Sequence, residues 1–318
     1  MGQKILVTGG AGFIGANLVR RLREGGFEEW VFDDLSRGRV EYLPDAERLI
    51  QGDIRDHEAL YNAMSGIETV IHLAAFGSVV ESVDAPQPNF DINVSGTFSV
   101  LECARKAGVK RLIFASTGGA LIGEATPPVD ELSLPKPISP YGASKLCGEA
   151  YCHAYAKAYG ICTIALRFAN VYGPFSGHKK GAATKFMKCL LQDEPMPIFG
   201  DGSASRDFLH VADLCEGIVK AIELDVSPGE VFHLASEEET TILGLAKAIS
   251  EIGGQPDYPI QHFSRRAGEV TRNFAKSDKA HKALGFKPQK NLIKGLEETW
   301  KWYLAHRDDV LSLKESDS

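Results

Sequence analysis

The chain has 318 residues, 44% of them hydrophobic and 24% charged, with a formal net charge of -7 and an isoelectric point near 5.8. Such an acidic chain lacks the basic surface that nucleic acids and anionic membranes require, so we expect neither as a partner. We also expect no membrane span, signal peptide or metal site. Six scattered cysteines without a C-x-x-C pair are typical of reduced thiols, which predicts a cytoplasmic protein.

The stretch Lys4 to Gly15, KILVTGGAGFIG, predicts a buried strand, a glycine turn and a helix in succession. Gly10 to Gly15 matches G-x-G-x-x-G, the pattern in which a diphosphate rests on backbone N–H groups at the start of a helix. Asp33 ends the next apolar strand about twenty residues later, where a carboxylate accepts both ribose hydroxyls of a dinucleotide. These features predict a dinucleotide site in which Asp33 favours NAD over NADP, although Arg37 stands nearby.

Apolar strands alternate with helical segments through the first half of the chain, which is typical of a parallel sheet covered on both faces. The predicted strands are Ile5–Thr8, Trp30–Asp33, Arg48–Ile50, Val70–Ala74, Arg111–Ser116 and Thr163–Phe168. Helices are predicted over Ser95–Ala107 and Tyr141–Tyr159, and a glycine follows each of them. The fold class that we expect is α/β, a Rossmann-type doubly wound parallel sheet.

The character of the sequence changes after Gly173-Pro174, where proline, glycine and charged residues separate shorter elements. We predict a dinucleotide-binding domain over residues 1–172 and a smaller C-terminal α/β lobe, mainly for the substrate, over residues 173–318. Val231–Leu234 is predicted to return to the main sheet as a strand, and Leu243–Ile252 to follow it as a helix.

Two segments after the third and fourth predicted strands suit a nucleotide pocket. Asp53 could reach the adenine amino group while Ile54 packs on the ring, and a cap for the following helix is an equally good interpretation of Asp53. Residues 73–75 end the fourth strand and would let a cofactor lie against the backbone. We interpret His72, just before them, as a core histidine rather than a catalyst.

Tyr141 and Lys145 are four residues apart on a predicted helix and therefore share one face. A free tyrosine has a pKa of about 10, and a neighbouring ammonium together with a nicotinamide cation favours the phenolate, which is a base near neutral pH. Ser116 and Thr117 end the preceding strand, where a hydroxyl can hold a substrate oxygen. A structural helix and an ordinary Ser/Thr turn are the alternatives for these two segments.

Motifs along nearly the whole chain give it a family resemblance. In order they are TGGAGFIG, DDLS, GDIRD, HLAAF, FASTGGA, YGASK, LRFANVYGP, IFGDGSASRDFLHV and RAGEV. The chain resembles the extended short-chain dehydrogenases/reductases, and within them the NAD-dependent nucleotide-sugar epimerases of the UDP-glucose 4-epimerase type. Several motifs in the same order are more specific than any single one.

The resemblance implies a role for each matched residue. Tyr141 would be the catalytic base, Lys145 its activator and a ribose ligand, and Thr117 or Ser116 the hydroxyl partner. The implied contacts to NAD are Gly9, Gly12, Phe13, Ile14, Gly15, Asp33, Asp34, Asp53, Ile54, Leu73, Ala74, Ala75, Asn93, Tyr141, Lys145 and Phe168. The implied contacts to the nucleotide-sugar are Thr117, Asn170, Phe199, Arg206, Arg266 and Glu269.

Arg206 and Arg266 also fit a diphosphate on chemical grounds, because a guanidinium presents paired donors that match phosphate oxygens. An ion pair with the neighbouring Asp207 is the alternative for Arg206. A solvated basic pair with Arg265 is the alternative for Arg266.

The reaction that the resemblance implies is epimerisation of a UDP-sugar at C4, through transient oxidation to a 4-keto sugar by bound NAD. UDP-glucose and UDP-galactose are the expected substrates, and UDP-N-acetylglucosamine is a further candidate because Asn273 replaces the bulky tyrosine of some relatives. Related dehydratases and decarboxylases carry acids where this chain has Gly118 and Gly119, so elimination lacks its acid here.

Three alternatives stay open at this point. A UDP-glucuronate 4-epimerase would offer His178, Lys179 or Lys180 to the sugar carboxylate. Another NAD-dependent nucleotide-sugar dehydratase or reductase would share the same core. A non-catalytic nucleotide-binding protein would have no use for a matched base and activator. The resemblance also implies a homodimer formed through exposed faces of the two predicted helices.

Overall fold

The computed structural model of the protein describes residues 2–224, 227–265 and 270–312. The strands are β1 (Lys4–Thr8), β2 (Glu28–Asp33), β3 (Leu49–Gln51), β4 (Thr69–His72), β5 (Arg111–Thr117), β6 (Cys162–Phe168), β7 (Asn170–Tyr172), β8 (Met196–Phe199), β9 (Ser205–His210), β10 (Glu230–Leu234), β11 (Glu239–Thr241) and β12 (Ile260–Phe263). The helices are α1 (Phe13–Glu24), α2 (His57–Ala63), α3 (Val79–Asp84), α4 (Pro86–Phe90), α5 (Thr97–Ala107), α6 (Gly119–Ile122), α7 (Pro140–Tyr159), α8 (Ala182–Gln192), α9 (Val211–Glu223), α10 (Ile242–Ile252), α11 (Asp278–Leu284), α12 (Leu292–Ala305) and α13 (Arg307–Ser312).

Seven parallel strands form the main sheet in the order β10-β6-β5-β4-β1-β2-β3. The predicted fold class, a doubly wound parallel sheet, is confirmed. The strand order reverses between β1 and β4, because β2 and β3 lie on one side of β1 and the later strands on the other. Ligands of such sheets bind outside the carboxyl ends of the strands at this reversal, so we expect the site there.

Helices bury both faces of the main sheet. On one face α1 and α9 pack on the strands, with Leu18 and Ile218 fully buried. On the other face α5 and α7 do so, with Leu101 and Cys152 in a core that includes Phe114 of β5. A parallel sheet exposes apolar residues on both faces, so both covers are needed to remove them from water.

The smaller lobe has its own sheets and core. β7, β9 and β11 form a three-stranded sheet, and β8 pairs with β12. Phe186, Leu245 and Tyr303 are buried in a core between α8, α10 and α12. Residues after 172 contribute to both lobes, because β10 pairs with β6 in the main sheet and α9 covers one of its faces. The division into residues 1–172 and 173–318 stays a prediction.

The two predicted helices differ from the observed ones at their starts. The helix predicted over Ser95–Ala107 begins as α5 only after a π-helical turn, Asp91–Gly96. α7 begins at Pro140 because Ser139 caps it with its hydroxyl. Both helices end at glycines in the left-handed conformation, Gly108 and Gly160, as predicted. Within the described ranges no helix combines the length and apolarity needed to cross a bilayer.

Candidate active site

The segments that we predicted to bind a nucleotide meet at the carboxyl edge of the main sheet. β1, β2, β4 and β5 end there at Thr8, Asp33, His72 and Thr117. The start of α7, which carries Tyr141, reaches this edge because the backbone after β5 packs directly against it. The fold thus places the glycine-rich turn of residues 9–15, which we call the fingerprint turn, and the Tyr141–Lys145 pair at the same edge of the sheet.

The glycine turn after β1 is shaped by close backbone contacts and leaves an open anion position. A Cβ on Gly9 would lie 2.6 Å from the amide nitrogen of Ala74, and one on Gly15 would lie 2.3 Å from the Gly9 oxygen. A Cβ on Gly12 would approach only the Gly9 oxygen among the described residues, at 3.3 Å. α1 follows with neither a side-chain cap nor an acid in its first turn, so Phe13, Ile14 and the rest of this turn present backbone N–H groups that fit the diphosphate of NAD.

Asp33 is held in place by two backbone N–H groups. Its carboxylate accepts hydrogen bonds of 2.9 Å from Ala11 and from Leu35, and the residue is 7% exposed. Burial raises the pKa of Asp33 above its usual value. Asp34, its predicted companion, instead accepts both the N–H and the hydroxyl of Ser36 on the surface of the loop.

Asp53 and Ile54 follow β3 in the predicted order, but Asp53 does not cap α2. Asp56 caps that helix, so the capping interpretation of Asp53 is wrong. The Asp53 carboxylate instead binds the Arg55 guanidinium, with its closest hydrogen bond at 2.5 Å, and this contact lowers the pKa of Asp53. Ile54 is buried against Gly96.

A buried histidine ends β4, and small residues follow it beside the cleft between the main sheet and the small lobe. His72 is buried between the hydroxyls of Thr8 and Thr97, at 2.8 and 3.0 Å, and burial lowers its pKa to about 3. The interpretation of His72 as a core residue is therefore confirmed. Leu73 and Ala74 then run along the fingerprint turn, where the N–H of Leu73 donates to the Thr8 carbonyl.

Asn93 is hydrogen-bonded within the protein, and its predicted contact to NAD stays a prediction. It is 2% exposed in the π-helical turn, and its amide oxygen accepts the N–H of Phe76 at 2.7 Å. Its amide nitrogen donates to the Phe76 carbonyl and to the Ser144 hydroxyl. Because these bonds use both of its N–H donors, Asn93 ties the segment after β4 to α7.

Tyr141 and Lys145 lie side by side at the start of α7. The Lys145 ammonium is 5.9 Å from the centre of the Tyr141 ring and 4.9 Å from that of Phe114. The backbone N–H of Tyr141 donates to the hydroxyl of Ser82, which fixes the start of the helix against α3. The spacing of four residues thus produces the predicted proximity.

Burial changes the ionisation of both residues. It raises the pKa of Tyr141 to about 12 and lowers the pKa of Lys145 to about 8. The protein alone thus favours the neutral phenol, whereas the sequence predicted a phenolate favoured by Lys145 and the nicotinamide. Desolvation outweighs the lysine, so a further positive charge beside Tyr141 is needed to favour the phenolate.

The variant Lys145→Met is expected to raise the free energy of unfolding of the cofactor-free protein at pH 7 by about 1–3 kcal/mol. The pKa of Lys145 is lower in the folded than in the unfolded state. Burial of the charged ammonium therefore costs free energy of folding, and this penalty has its full size below pH 8. The unfolded state binds more protons between pH 8 and the usual lysine pKa, so the penalty fades as the pH rises through that window. Urea unfolding of both proteins at pH 7 and pH 10 measures it. A less stable variant at pH 7 would mean that the ammonium's contact with Phe114 dominates.

Ser116 belongs to a buried ionic network, which favours Thr117 of the two predicted hydroxyl partners. Its hydroxyl donates to Glu149 at 2.6 Å, and Glu149 also accepts two hydrogen bonds from Arg167, at 2.8 and 2.9 Å. Ser116 is 3% exposed, so its proton is not available to the substrate. Of the two hydroxyl candidates, Thr117 at the end of β5 is the half-buried one.

Glu149 and Arg167 were missed in the sequence. Glu149 lies four residues beyond Lys145 on the same stripe of α7, and this spacing could have revealed it. Its partner is on β6, so no local pattern identifies the pair. Phe168, the next residue of β6, is buried in the core, and its carbonyl accepts the N–H of Gly118.

Arg206 does not pair with Asp207, its neighbour on β9. The Asp207 carboxylate accepts the N–H groups of Ser236 and Glu237, at 2.8 and 2.9 Å, and burial raises its pKa to about 6. Adjacent residues of a strand face opposite sides. The Arg206 guanidinium donates to the backbone carbonyls of Ser205 and Thr271, at 2.8 and 3.4 Å.

The other predicted substrate contacts are spread over the small lobe. Asn170 is exposed at the start of β7. Phe199 ends β8, and its ring stacks on Phe263 at 5.5 Å between centres. Arg266 and Glu269 lie outside the described residues, so their predicted roles stay predictions.

A crowded turn follows Thr117 and restricts the chemistry of this edge. A Cβ on Gly118 would lie 3.2 Å from the His233 ring, and one on Gly119 would lie 3.1 Å from the Asn273 side chain. Asn273 is 5% exposed, and its Nδ2 has no hydrogen-bond partner in the part of the chain that the structure describes. No larger side chain fits at either glycine without a shift of its neighbour.

Comparison with known proteins assigns this arrangement to a family. Residues 5–235 match the NAD dependent epimerase/dehydratase family. The chain belongs to this family. NAD as the predicted cofactor, and the predicted resemblance, are thereby confirmed.

Similar proteins of this family catalyse different reactions. The UDP-glucose 4-epimerase of Mycolicibacterium smegmatis is 36% identical over 317 residues, which cover 95% of this chain and 98% of that protein. The structure of UDP-glucose 4-epimerase from Thermotoga maritima with UDP-glucose has a TM-score of 0.92 and 37% identity, covering 96% of this chain and 100% of that one. The dTDP-glucose 4,6-dehydratase of Streptomyces venezuelae, with NAD bound, has a TM-score of 0.93 and 32% identity, covering 98% and 100%. Overall similarity therefore does not select the reaction, and individual residues must do so.

Proposed function

We propose that the chain is an NAD-dependent UDP-sugar 4-epimerase, an isomerase that interconverts UDP-glucose and UDP-galactose. The observation that carries the proposal is the position of the Tyr141–Lys145 pair. It lies next to Gly118 and Gly119 and at the same edge of the sheet as the fingerprint turn after β1. UDP-glucose 4-epimerases among the relatives support it over nearly their whole length.

The residues of this chain divide the work of the reaction. NAD, held by the glycine turn before α1 and by Asp33, would supply reversible two-electron oxidation at C4 of the sugar. Tyr141 takes the proton of the 4-hydroxyl and later gives it back, Lys145 keeps positive charge beside the phenol, and Thr117 holds the sugar oxygen. Arg206 and Asn170 hold the diphosphate while the sugar turns. Phe199, Arg266 and Glu269 would complete the nucleotide site.

The two glycines after Thr117 argue against dehydration and decarboxylation. Those reactions need an acid beside the catalytic hydroxyl, where this chain has Gly118 and Gly119. A Cβ there would make contacts of 3.1 to 3.2 Å, so an aspartate or glutamate at either position would require the side chain of His233 or Asn273 to shift. Once C4 is oxidised, the acid that elimination requires is therefore missing at these two positions.

The uronate alternative loses most of its predicted ligands. Lys180 pairs with Glu81 at 2.7 Å, and burial lowers the pKa of His178 to about 3, so this ring is neutral. Lys179 remains, and it lies beside Gly77 on the cofactor side of the cleft. A neutral C6 alcohol is therefore the better substrate, although a UDP-glucuronic acid 4-epimerase from Bacillus cereus has a TM-score of 0.89 and 31% identity.

The substituent at C2 of the sugar depends on Asn273. Asn273 is 5% exposed, and asparagine is smaller than the tyrosine found in some relatives. We therefore include UDP-N-acetylglucosamine among the proposed substrates, since an acetamido group needs more space than a hydroxyl.

Proton NMR of UDP-sugars incubated with the purified protein tests the function. UDP-glucose, UDP-N-acetylglucosamine and UDP-glucuronate are supplied separately without added cofactor, and the C4 epimer is expected from the first two. Conversion of UDP-glucuronate alone would support the uronate alternative. A C6-deoxy or decarboxylated product, or net formation of NADH, would reject 4-epimerisation.

We also propose a homodimer formed through α5 and α7, in the cytoplasm. Phe98, Tyr151 and Tyr159 on these helices are 41%, 42% and 55% exposed, and the first two contact each other at 5.9 Å between ring centres. Exposed aromatic rings on adjacent helices are typical of interfaces. Six free cysteines are consistent with a reducing compartment.

Light scattering is expected to give twice the chain mass of 34.5 kDa, because burial of these aromatic rings stabilises the pair. The variant Tyr151→Glu should give the monomer mass, and Tyr61→Glu, which changes an exposed ring on α2, should remain a dimer. A wild-type protein that is monomeric at working concentration would contradict the dimer.

A further inference from the structure

A lysine of the small lobe, Lys179, lies next to the segment after β4, on the side of the cleft where the dinucleotide is expected. Lys179 lies between β7 and α8, and its Nζ is 3.9 Å from the position that a Cβ on Gly77 would take. Gly77 comes three residues after Ala74, the residue that Gly9 of the fingerprint turn contacts. A cation of one lobe therefore lies beside the dinucleotide site of the other.

The Lys179 ammonium has no hydrogen-bond acceptor among the residues that the structure describes, which are 2–224, 227–265 and 270–312. Burial lowers the pKa of Lys179, and the nearby Arg37 lowers it further, while the Glu81 carboxylate partly offsets both. A charge withdrawn from water without a partner costs free energy, so an anionic ligand would stabilise this position.

Arg37 is held next to the same position by a buried carboxylate. Its guanidinium donates to Glu81 at 2.5 Å and lies 5.0 Å from the centre of the Phe76 ring. Lys180 pairs with the other oxygen of Glu81 at 2.7 Å. Glu81 thus pairs with both Arg37 and Lys180, and Lys179 is a further cation beside them. The diphosphate of a dinucleotide carries two negative charges, which guanidinium and ammonium groups bind well.

The backbone around Arg37 packs on the dinucleotide site itself. A Cβ on Gly38 would lie 2.7 Å from the Asp33 carboxylate and 2.8 Å from Ala11 in the fingerprint turn. Arg37 therefore starts next to the predicted ribose ligand, and its contact with Glu81 turns the guanidinium toward the segment after β4. This is the segment that Lys179 reaches from the opposite lobe.

We propose that Lys179, together with Arg37 positioned by Glu81, binds the diphosphate of NAD and so retains the cofactor from the small-lobe side. A UDP-sugar offers the same diphosphate chemistry, but the position beside Gly77 and the fingerprint assigns these cations to the dinucleotide. The inference rests on the proposed function for the presence of bound NAD.

Release of NAD from the purified holoenzyme tests this assignment. We expect Lys179→Met to release NAD about 10–100-fold faster on dilution, as for a lost hydrogen bond between charged groups, with nucleotide quantified in the ultrafiltrate. The difference should shrink at high salt, because salt screens partly exposed charges. Lys179→Arg should stay near the wild-type rate. Lys247→Met, at an exposed position of α10, is the matched control and should not change the rate.

Two further measurements separate the possible outcomes. Arg37→Met should also speed NAD release, so the proposal does not depend on one variant that folds poorly. Calorimetry with UDP should give the same affinity for wild type and Lys179→Met. Unchanged NAD release in both variants, or a loss of UDP affinity instead, would overturn the inference alone. A wild type that contains and binds no NAD would overturn the proposed function with it.

Discussion

Replacing Tyr141 by phenylalanine is expected to lower kcat for C4 epimerisation by about 10²–10⁴-fold, because the variant keeps the ring but lacks the group that exchanges a proton with the sugar. The phenylalanine ring can retain its place beside Lys145, whose ammonium is 5.9 Å from the ring centre. NAD binding should therefore change little. Conversion of UDP-glucose followed by proton NMR gives the rate, and the NAD content of the purified variant reports on the fold of the cofactor site.

Tyr155 provides the matched control on the same helix. Its hydroxyl donates to Glu102 at 2.7 Å, on the face of α7 that packs against α5. Tyr155→Phe removes a hydroxyl of the same kind outside the cleft, so its kcat should stay within a few-fold of wild type. If Tyr141→Phe kept more than a tenth of the activity, the proton would have to be exchanged by another group.

Replacing Glu149 by glutamine is expected to lower the free energy of unfolding by about 3–5 kcal/mol, since removing one partner of a buried ion pair leaves an uncompensated charge. The side chains of Arg167 and Glu149 are only 5% and 6% exposed and share two hydrogen bonds. Ser116 and His233 border the same network, so the end of β5 should loosen as well. Urea unfolding of the variant and the wild type measures the loss.

A surface ion pair and a double variant test the cause. Glu216 pairs with Arg21 on the surface, where the two side chains are 46% and 31% exposed, so Glu216→Gln should cost less than about 1 kcal/mol. Replacing both Glu149 and Arg167 by methionine should be less damaging than Glu149→Gln, because no charge is left buried. Equal losses in the buried and the surface single variants would contradict the assignment.

Much of the site was predictable because it depends on residues close together in the sequence. The fingerprint required glycines where the backbone is tightly packed, and a Cβ on Gly9 or Gly15 would lie only 2.6 or 2.3 Å from a backbone atom. Tyr141 and Lys145 share a helix face because they are four residues apart. Asp33 ends β2 beside the turn, as its distance from the glycines indicated.

Residues whose role depends on a distant partner were not predictable in this way. Ser116 and Thr117 are equivalent in the sequence, and only the contact of Ser116 with Glu149 on α7 separates them. The bridge that Asn93 forms with both of its N–H donors, between the segment after β4 and α7, likewise has no signal in the sequence. Asp53 was an equally good cap until Asp56 was found in that position.

The sequence by itself determined the parallel sheet, the edge at which the nucleotide binds and the pair that can exchange a proton, because each follows from periodicity or spacing along one element. Only the tertiary structure decided which groups are free to act there. It directs Ser116 into a buried network, fills the space beside Gly119 with Asn273 and brings Lys179 to Gly77. Burial and contacts between distant segments set these outcomes, and neither is encoded in a local pattern.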